Sequence, residues 1–161
     1  MVRLLPEQEY VKGLPRKRAA AGVLFFNGKK ELLLVKPVYV DHWKVVGGTV
    51  DAYESPLATC VRETKEELGL RVEPPRFLGV AYKRERAKND ENLIFYFFQR
   101  LSDEQIASIA FPKEELSEYR FFHLGEAMKV VSDGSRQSFP LCFAAVESGR
   151  AFYMDRKGSV G

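Results

Sequence analysis

The sequence predicts an α/β fold, a three-layer α/β/α sandwich around a mixed β-sheet, and three observations carry that prediction. Apolar runs of strand length alternate with segments of helical periodicity along one continuous chain. Two of those runs, RFLGVAYK (76–83) and NLIFYFFQR (92–100), are apolar on both faces, as strands covered from both sides are. The helical segments are the material for that cover, so they must lie on both faces of the sheet. At 161 residues, 45% of them hydrophobic, the chain supplies one substantial core.

The polar ends frame the folded unit. Residues 1–16 read as an N-terminal extension and 155–161 as a flexible tail, with a single domain expected over 17–154. AAAGVLFF (19–26) and ELLLVK (31–36) flank NGKK, and Asn27-Gly28 is a hairpin signal, so these two runs should pair antiparallel. WKVV (43–46) is a further short strand running into Gly47-Gly48. The runs 76–83 and 92–100 form a second hairpin across the charged stretch RERAKNDE. EYRFFHL (118–124) reads as a strand, while GEAMKVVS (125–132) and RQSFPLCFAAVES (136–148) have helical spacing, with Pro140 expected near the first turn of the second.

The best-marked helix runs from Pro56 to Leu68. Ser55 is a good N-cap, Pro56 suits the first helical position, and Gly69 can take the left-handed conformation that ends a helix. Leu57, Cys60, Val61, Thr64 and Leu68 fall on one stripe, the expected buried face. Glu63, Glu66 and Glu67 fall on another arc, where like charges at i, i+3 and i+4 repel unless a cation sits among them. Glu54 adds a fourth carboxylate at the helix entrance, and Gly47-Gly48 lets the backbone approach a ligand closely. Hard oxygen donors of this kind suit Mg²⁺, which is held by a few carboxylates together with substrate phosphates.

Net charge excludes little but directs attention to local clusters. The balance is +3, from 25 basic and 22 acidic side chains, so no chain-wide field favours a nucleic acid polymer. The basic run LPRKRAA (14–20) reads as solvated surface. No apolar run approaches a membrane span, and MVRLLPEQEY lacks the apolar core of a signal peptide, so no membrane partner and a cytoplasmic location are expected. Cys60 and Cys142 form no CxxC and read as buried thiols.

Gly48, Glu54, Arg62-Glu63, Glu66-Glu67 and Gly69 stand in a register that resembles the Nudix box, here residues 48–70. Thr64 stands where an aliphatic residue is usual, and Val46 where a proline often precedes the glycines; no charged position is missing. The resemblance implies a Nudix-type sandwich and hydrolysis of a diphosphate linkage in a nucleoside diphosphate joined to another group, with Mg²⁺ or Mn²⁺. Glu63, Glu66 and Glu67 would be metal ligands, with the Gly47 carbonyl another and Glu54 reaching the metal through water. Arg62 would orient the glutamates. The general base would be Glu66 or Glu67, or a later glutamate among Glu114, Glu115 and Glu118.

Two other functions remain on the same fold: a nucleotide-sensing module without turnover, and a diphosphate isomerase of the isopentenyl type. For the substrate, Lys83, Arg84 and Arg86 on the second hairpin are candidates for holding a distal phosphate, and Trp43 for stacking on a base. The partner expected is a small nucleotide-like diphosphate, with a homodimer as the protein partner left open.

Overall fold

A computed structural model describes residues 6–85 and 90–156. The elements in chain order are α1 (Glu7–Lys12), β1 (Arg18–Phe26), β2 (Leu32–Pro37), β3 (Val46–Thr49), α2 (Pro56–Leu68), β4 (Arg76–Glu85), β5 (Asp90–Arg100), α3 (Asp103–Ala107), β6 (Leu116–Phe122), α4 (Leu124–Val130), α5 (Asp133–Ser148) and β7 (Phe152–Arg156). The strands form one mixed sheet in the order β6-β2-β1-β5-β4-β7, with β3 pairing β1 off that path. β1 runs parallel to β5 and β4 parallel to β7, whereas the other pairs are antiparallel.

Strand alternation divides the core into two layers. Along β1, Val23 and Phe25 enter a cluster with Cys60 and Leu68 of α2, while Leu24 and Phe26 enter a second cluster with Ala127 of α4 and Phe139, Cys142 and Ala145 of α5. Successive residues of the buried stretch of one strand, from Ala21 to Phe26, therefore feed opposite faces, and the predicted sandwich is present. Phe25 and Phe139, one in each layer, are fully buried, each stabilising by roughly 1.5–3 kcal/mol. Both cysteines are buried free thiols on helices, and burial pushes Cys60 up to about 12. No helix among the described residues is long and apolar enough to cross a membrane.

The first hairpin closes differently from the expected Asn-Gly turn. Asn27 Oδ1 accepts from the backbone N–H groups of Lys29 and Glu31 at 3.0 Å each, and the left-handed residue is Lys30 (φ 63°) in place of Gly28. β2 then meets β1 in register only at Phe26–Leu32, because β3 occupies the same edge of β1 from Ala20 to Val23. Pro140 lies in the interior of α5, since Ser132 caps that helix and starts it at Asp133. The proline sits on the exposed face, where water can serve the Arg136 carbonyl that lacks its helical donor.

The helices α1 and α3 and the strand β7 carry too few periodic residues to stand out in sequence. β7 is legible only in context: Phe152 and Met154 pack on the α5-side core while Tyr153 is exposed.

Candidate active site

β3 brings two glycines against other parts of the chain, and each has a separate reason to be glycine. Gly47 holds φ 144°, and a Cβ there would lie 2.2 Å from the Ala21 carbonyl oxygen of the paired strand. At Gly48 a Cβ would lie 2.2 Å from Glu63 Oε1. The space a side chain would take is thus filled by a carboxylate from α2.

The connection from β3 to α2 ends in a turn in which Glu54 N–H donates to the Asp51 carbonyl at 3.1 Å. Ser55 Oγ then accepts from Ala58 N–H at 3.1 Å, and Gly69 ends α2 in the left-handed region at φ 69°. The buried face is rotated from the predicted stripe: Thr59, Cys60, Thr64, Glu67 and Leu68 are buried, whereas Leu57 is exposed. Thr64 satisfies its hydroxyl by donating to the Cys60 carbonyl at 2.6 Å, so the polar atom is tolerated inside.

Arg62 is the hub of the site. Its Nε donates to Glu54 Oε1 at 2.9 Å, one terminal nitrogen donates to Glu63 Oε1 at 2.8 Å and to Glu66 Oε2 at 3.0 Å, and the other donates to Glu54 Oε2 at 3.0 Å and to the Thr49 carbonyl at 3.2 Å. A planar fork of five N–H donors makes all five of these bonds at once, and an ammonium, with three donors, could not. Hydrogen bonds from Arg62, then from Thr59, hold the Glu54 carboxyl down at about 2, and Glu54 and Glu63 in turn raise Arg62 above its ordinary value.

Glu67 stands apart from that hub. Its Oε1 lies 2.6 Å from Lys44 Nζ, its Oε2 accepts the Gly47 N–H at 2.9 Å, and only 7% of its side chain is exposed. Lys44 Nζ also donates to the Gly47 carbonyl at 2.9 Å. Burial pushes the Glu67 carboxyl up, while Lys44 and the Gly47 N–H pull against it.

Glu54, Glu63 and Glu66 therefore converge on Arg62, and Glu67 and Gly47 on Lys44. Among the described residues no three His, Cys, Asp or Glu side chains are grouped ready to hold a metal, and these carboxylates are paired with the chain's own cations. The donor set nevertheless fits a hard divalent ion. All its members are oxygens, Gly48 leaves room for Glu63, and an ammonium already stands against Gly47 O and Glu67 Oε1. In the sequence Lys44 carries no mark beyond its place two residues before Val46, which lies on the α2-side face.

The remaining candidates are on other elements. Lys83 and Arg84 stand on β4, separated from β3 by β1 and β5, and Arg86 lies outside the described residues. Trp43 packs edge-on against Phe122 with the Arg120 guanidinium 5.5 Å above its ring, beside the α4 and α5 core rather than under α2. Glu118 on β6 pairs with Arg120 at 2.5 Å, and Glu114 and Glu115 are exposed in the turn before it.

Gly48→Ala separates fold from site. The clash is with the far end of a flexible side chain, so the melting temperature should change by no more than about 3 °C, the scale of 1 kcal/mol in a domain of this size. Displacing Glu63 should lower turnover by about tenfold or more. Unchanged turnover would show that the position of Glu63 does not matter.

Known proteins bear on this geometry. Over 75 residues the chain is 36% identical to a putative 8-oxo-dGTP diphosphatase of Bacillus subtilis (strain 168), covering 47% of this chain and 50% of that protein. Over 119 residues it is 29% identical to diphosphoinositol polyphosphate phosphohydrolase 3-alpha of Mus musculus, covering 72% of this chain and 69% of that protein. The first match thus spans half the length of the curated relative. The fold is similar to the crystal structure of a MutT protein from Methanosarcina mazei Go1, with a TM-score of 0.67 at 19% identity, over 84% of this chain and 99% of that one. The family model described as NUDIX domain matches residues 16–142, which include the glycine pair, Arg62 and every glutamate of α2, and the chain belongs to that family.

Proposed function

We propose that this chain is a metal-dependent hydrolase of phosphoric anhydrides, cleaving the diphosphate linkage of a nucleoside diphosphate joined to another group. The observation that carries the reading is the convergence of Glu54, Glu63 and Glu66 on one guanidinium beside a glycine pair, with Glu67 against the same pair. Glu63, Glu66, Glu67 and the Gly47 carbonyl would hold Mg²⁺ or Mn²⁺, with Glu54 behind them. A divalent ion bound there screens phosphate charge and lowers the pKa of water.

The chain's own residues supply position and a base. Arg62 fixes Glu63 and Glu66 relative to each other, and the buried hydrogen bond from Gly47 N–H fixes Glu67. Glu66 is the most exposed of the three, at 53%, and gives one oxygen, Oε2, to Arg62. Its carboxylate is the most open to solvent of the three, so we assign it as the group that accepts the water's proton. The two buried free thiols suit the reducing cytoplasm as the compartment.

The test is a panel of nucleoside triphosphates, ADP-ribose, dinucleoside polyphosphates, NADH, coenzyme A and nucleotide sugars, assayed for release of phosphate or a monophosphate. Turnover of at least one compound should vanish in EDTA and return with Mg²⁺ or Mn²⁺, while Ca²⁺ supports it poorly because its coordination is larger and looser. Full activity in EDTA would remove the metal from the reading. Binding without release across the panel would make the chain a sensing module, and rearrangement without release an isomerase.

A further inference from the structure

We propose that Lys44 is a tethered cation that holds the metal's place: its ammonium occupies the pair of oxygens a divalent ion would take, and it must leave for that ion to bind. The proposal rests on the metal-dependent reading above and concerns a residue that reading does not use. An ion pair with Glu67 alone would be a structural contact. Lys44 Nζ instead bridges two separate elements, Glu67 Oε1 of α2 at 2.6 Å and the Gly47 carbonyl of β3 at 2.9 Å. Those are two of the oxygens assigned to the metal.

Strand geometry explains why the side chain arrives there. Val46 faces the core under α2, so Lys44, two residues earlier, faces the same way, whereas Trp43 and Val45 pack on the opposite core. A monovalent and a divalent cation cannot share one pair of oxygens, since charges a few ångströms apart repel strongly in a partly buried site. The lysine also has somewhere to go: 26% of its side chain is exposed, and its four-carbon stem is flexible. With the metal absent, Lys44 keeps the buried Glu67 carboxylate paired, and with it the loop that carries Gly47.

The experiment measures Mn²⁺ binding directly, by paramagnetic resonance of the free ion, on EDTA-stripped and dialysed protein. Melting temperatures are taken with and without Mn²⁺. Lys44→Met keeps the stem and removes the charge; Lys44→Gln also removes the charge but can still hydrogen-bond, which guards against a failure to fold. Both variants should melt lower than wild type without metal, bind Mn²⁺ about tenfold tighter or more, and gain more melting temperature from it. Lys44→Arg should bind as wild type does or more weakly. If wild type binds Mn²⁺ and the neutral variants bind no tighter, Lys44 is not a competitor and the proposal fails. If neither wild type nor the variants bind Mn²⁺, the metal-dependent reading itself fails, a different result from the first.

Discussion

Glu66→Gln and Glu67→Gln are expected to lose turnover alike, by about 100-fold or more, and to differ in stability. Glu66 is half-exposed and, among the described residues, linked only to Arg62, so its replacement removes one negative charge from a crowded helix face while keeping size and helix propensity. Its melting temperature without metal should stay within about 2 °C of wild type, below the scale of 1 kcal/mol in a domain of this size. Glu67 is different. A glutamine there can still accept from Gly47 N–H, but its other polar atom then presents N–H to the Lys44 ammonium. The lost pairing should cost about 1–3 kcal/mol, or roughly 2–4 °C for each kcal/mol. Calorimetry in EDTA beside a turnover assay separates the two variants. Wild-type turnover in either, on a confirmed substrate, would overturn the assignment of that glutamate.

From sequence alone both variants are expected to be neutral or slightly stabilising, and the reason for the difference is physical. Helical periodicity at 100° per residue places Glu67 on the arc of Glu63 and Glu66, away from the apolar stripe. It does not encode the lysine 23 positions earlier that turns the carboxylate inward. The helix boundaries were legible because the cap signals are local: Ser55, Pro56 and Gly69 act within one turn of themselves. The two-faced apolar strands β4 and β5 were legible for a related reason, since cover from both sides leaves no polar alternation.

The failures are equally specific. The apolar periodicity begins at Arg136 and so points to Pro140 near a helix start, yet Ser132 caps the helix one turn earlier. Asn27-Gly28 marked the turn correctly but not its geometry, which the Asn27 side chain sets through two backbone N–H groups. The charge pattern announced that a cation belongs among the glutamates. It could not say that Arg62 and Lys44 divide them into two groups, because that division depends on how β3 lies against α2.

Arg62→Met should lower the melting temperature more than any other single change in the site. The substitution keeps the hydrocarbon stem and the helix, but Glu54, Glu63 and Glu66 lose their shared donor and face one another, and the Thr49 carbonyl loses its partner. Removing one partner of a buried ion pair costs about 3–5 kcal/mol; with 29% of the Arg62 side chain exposed, about 2–3 kcal/mol is the better figure, or roughly 5–10 °C. Arg62→Lys should recover only part of this, since an ammonium cannot span the carboxylates as the fork does. Acid titration tests the mechanism. In wild type the depressed Glu54 contributes stability that is complete above its ordinary pKa of 4.5 and is lost as pH falls through about 2. In the variant, Glu54 no longer has that donor, and protonating the crowded carboxylates relieves their repulsion. The stability gap between the two proteins should therefore hold down to about pH 4.5 and narrow as pH falls from there through about 2, and it should also narrow at high salt, which screens the same repulsion. A gap that holds constant through both titrations would mean that Arg62 acts by packing its stem, and that the carboxylates do not need the charge.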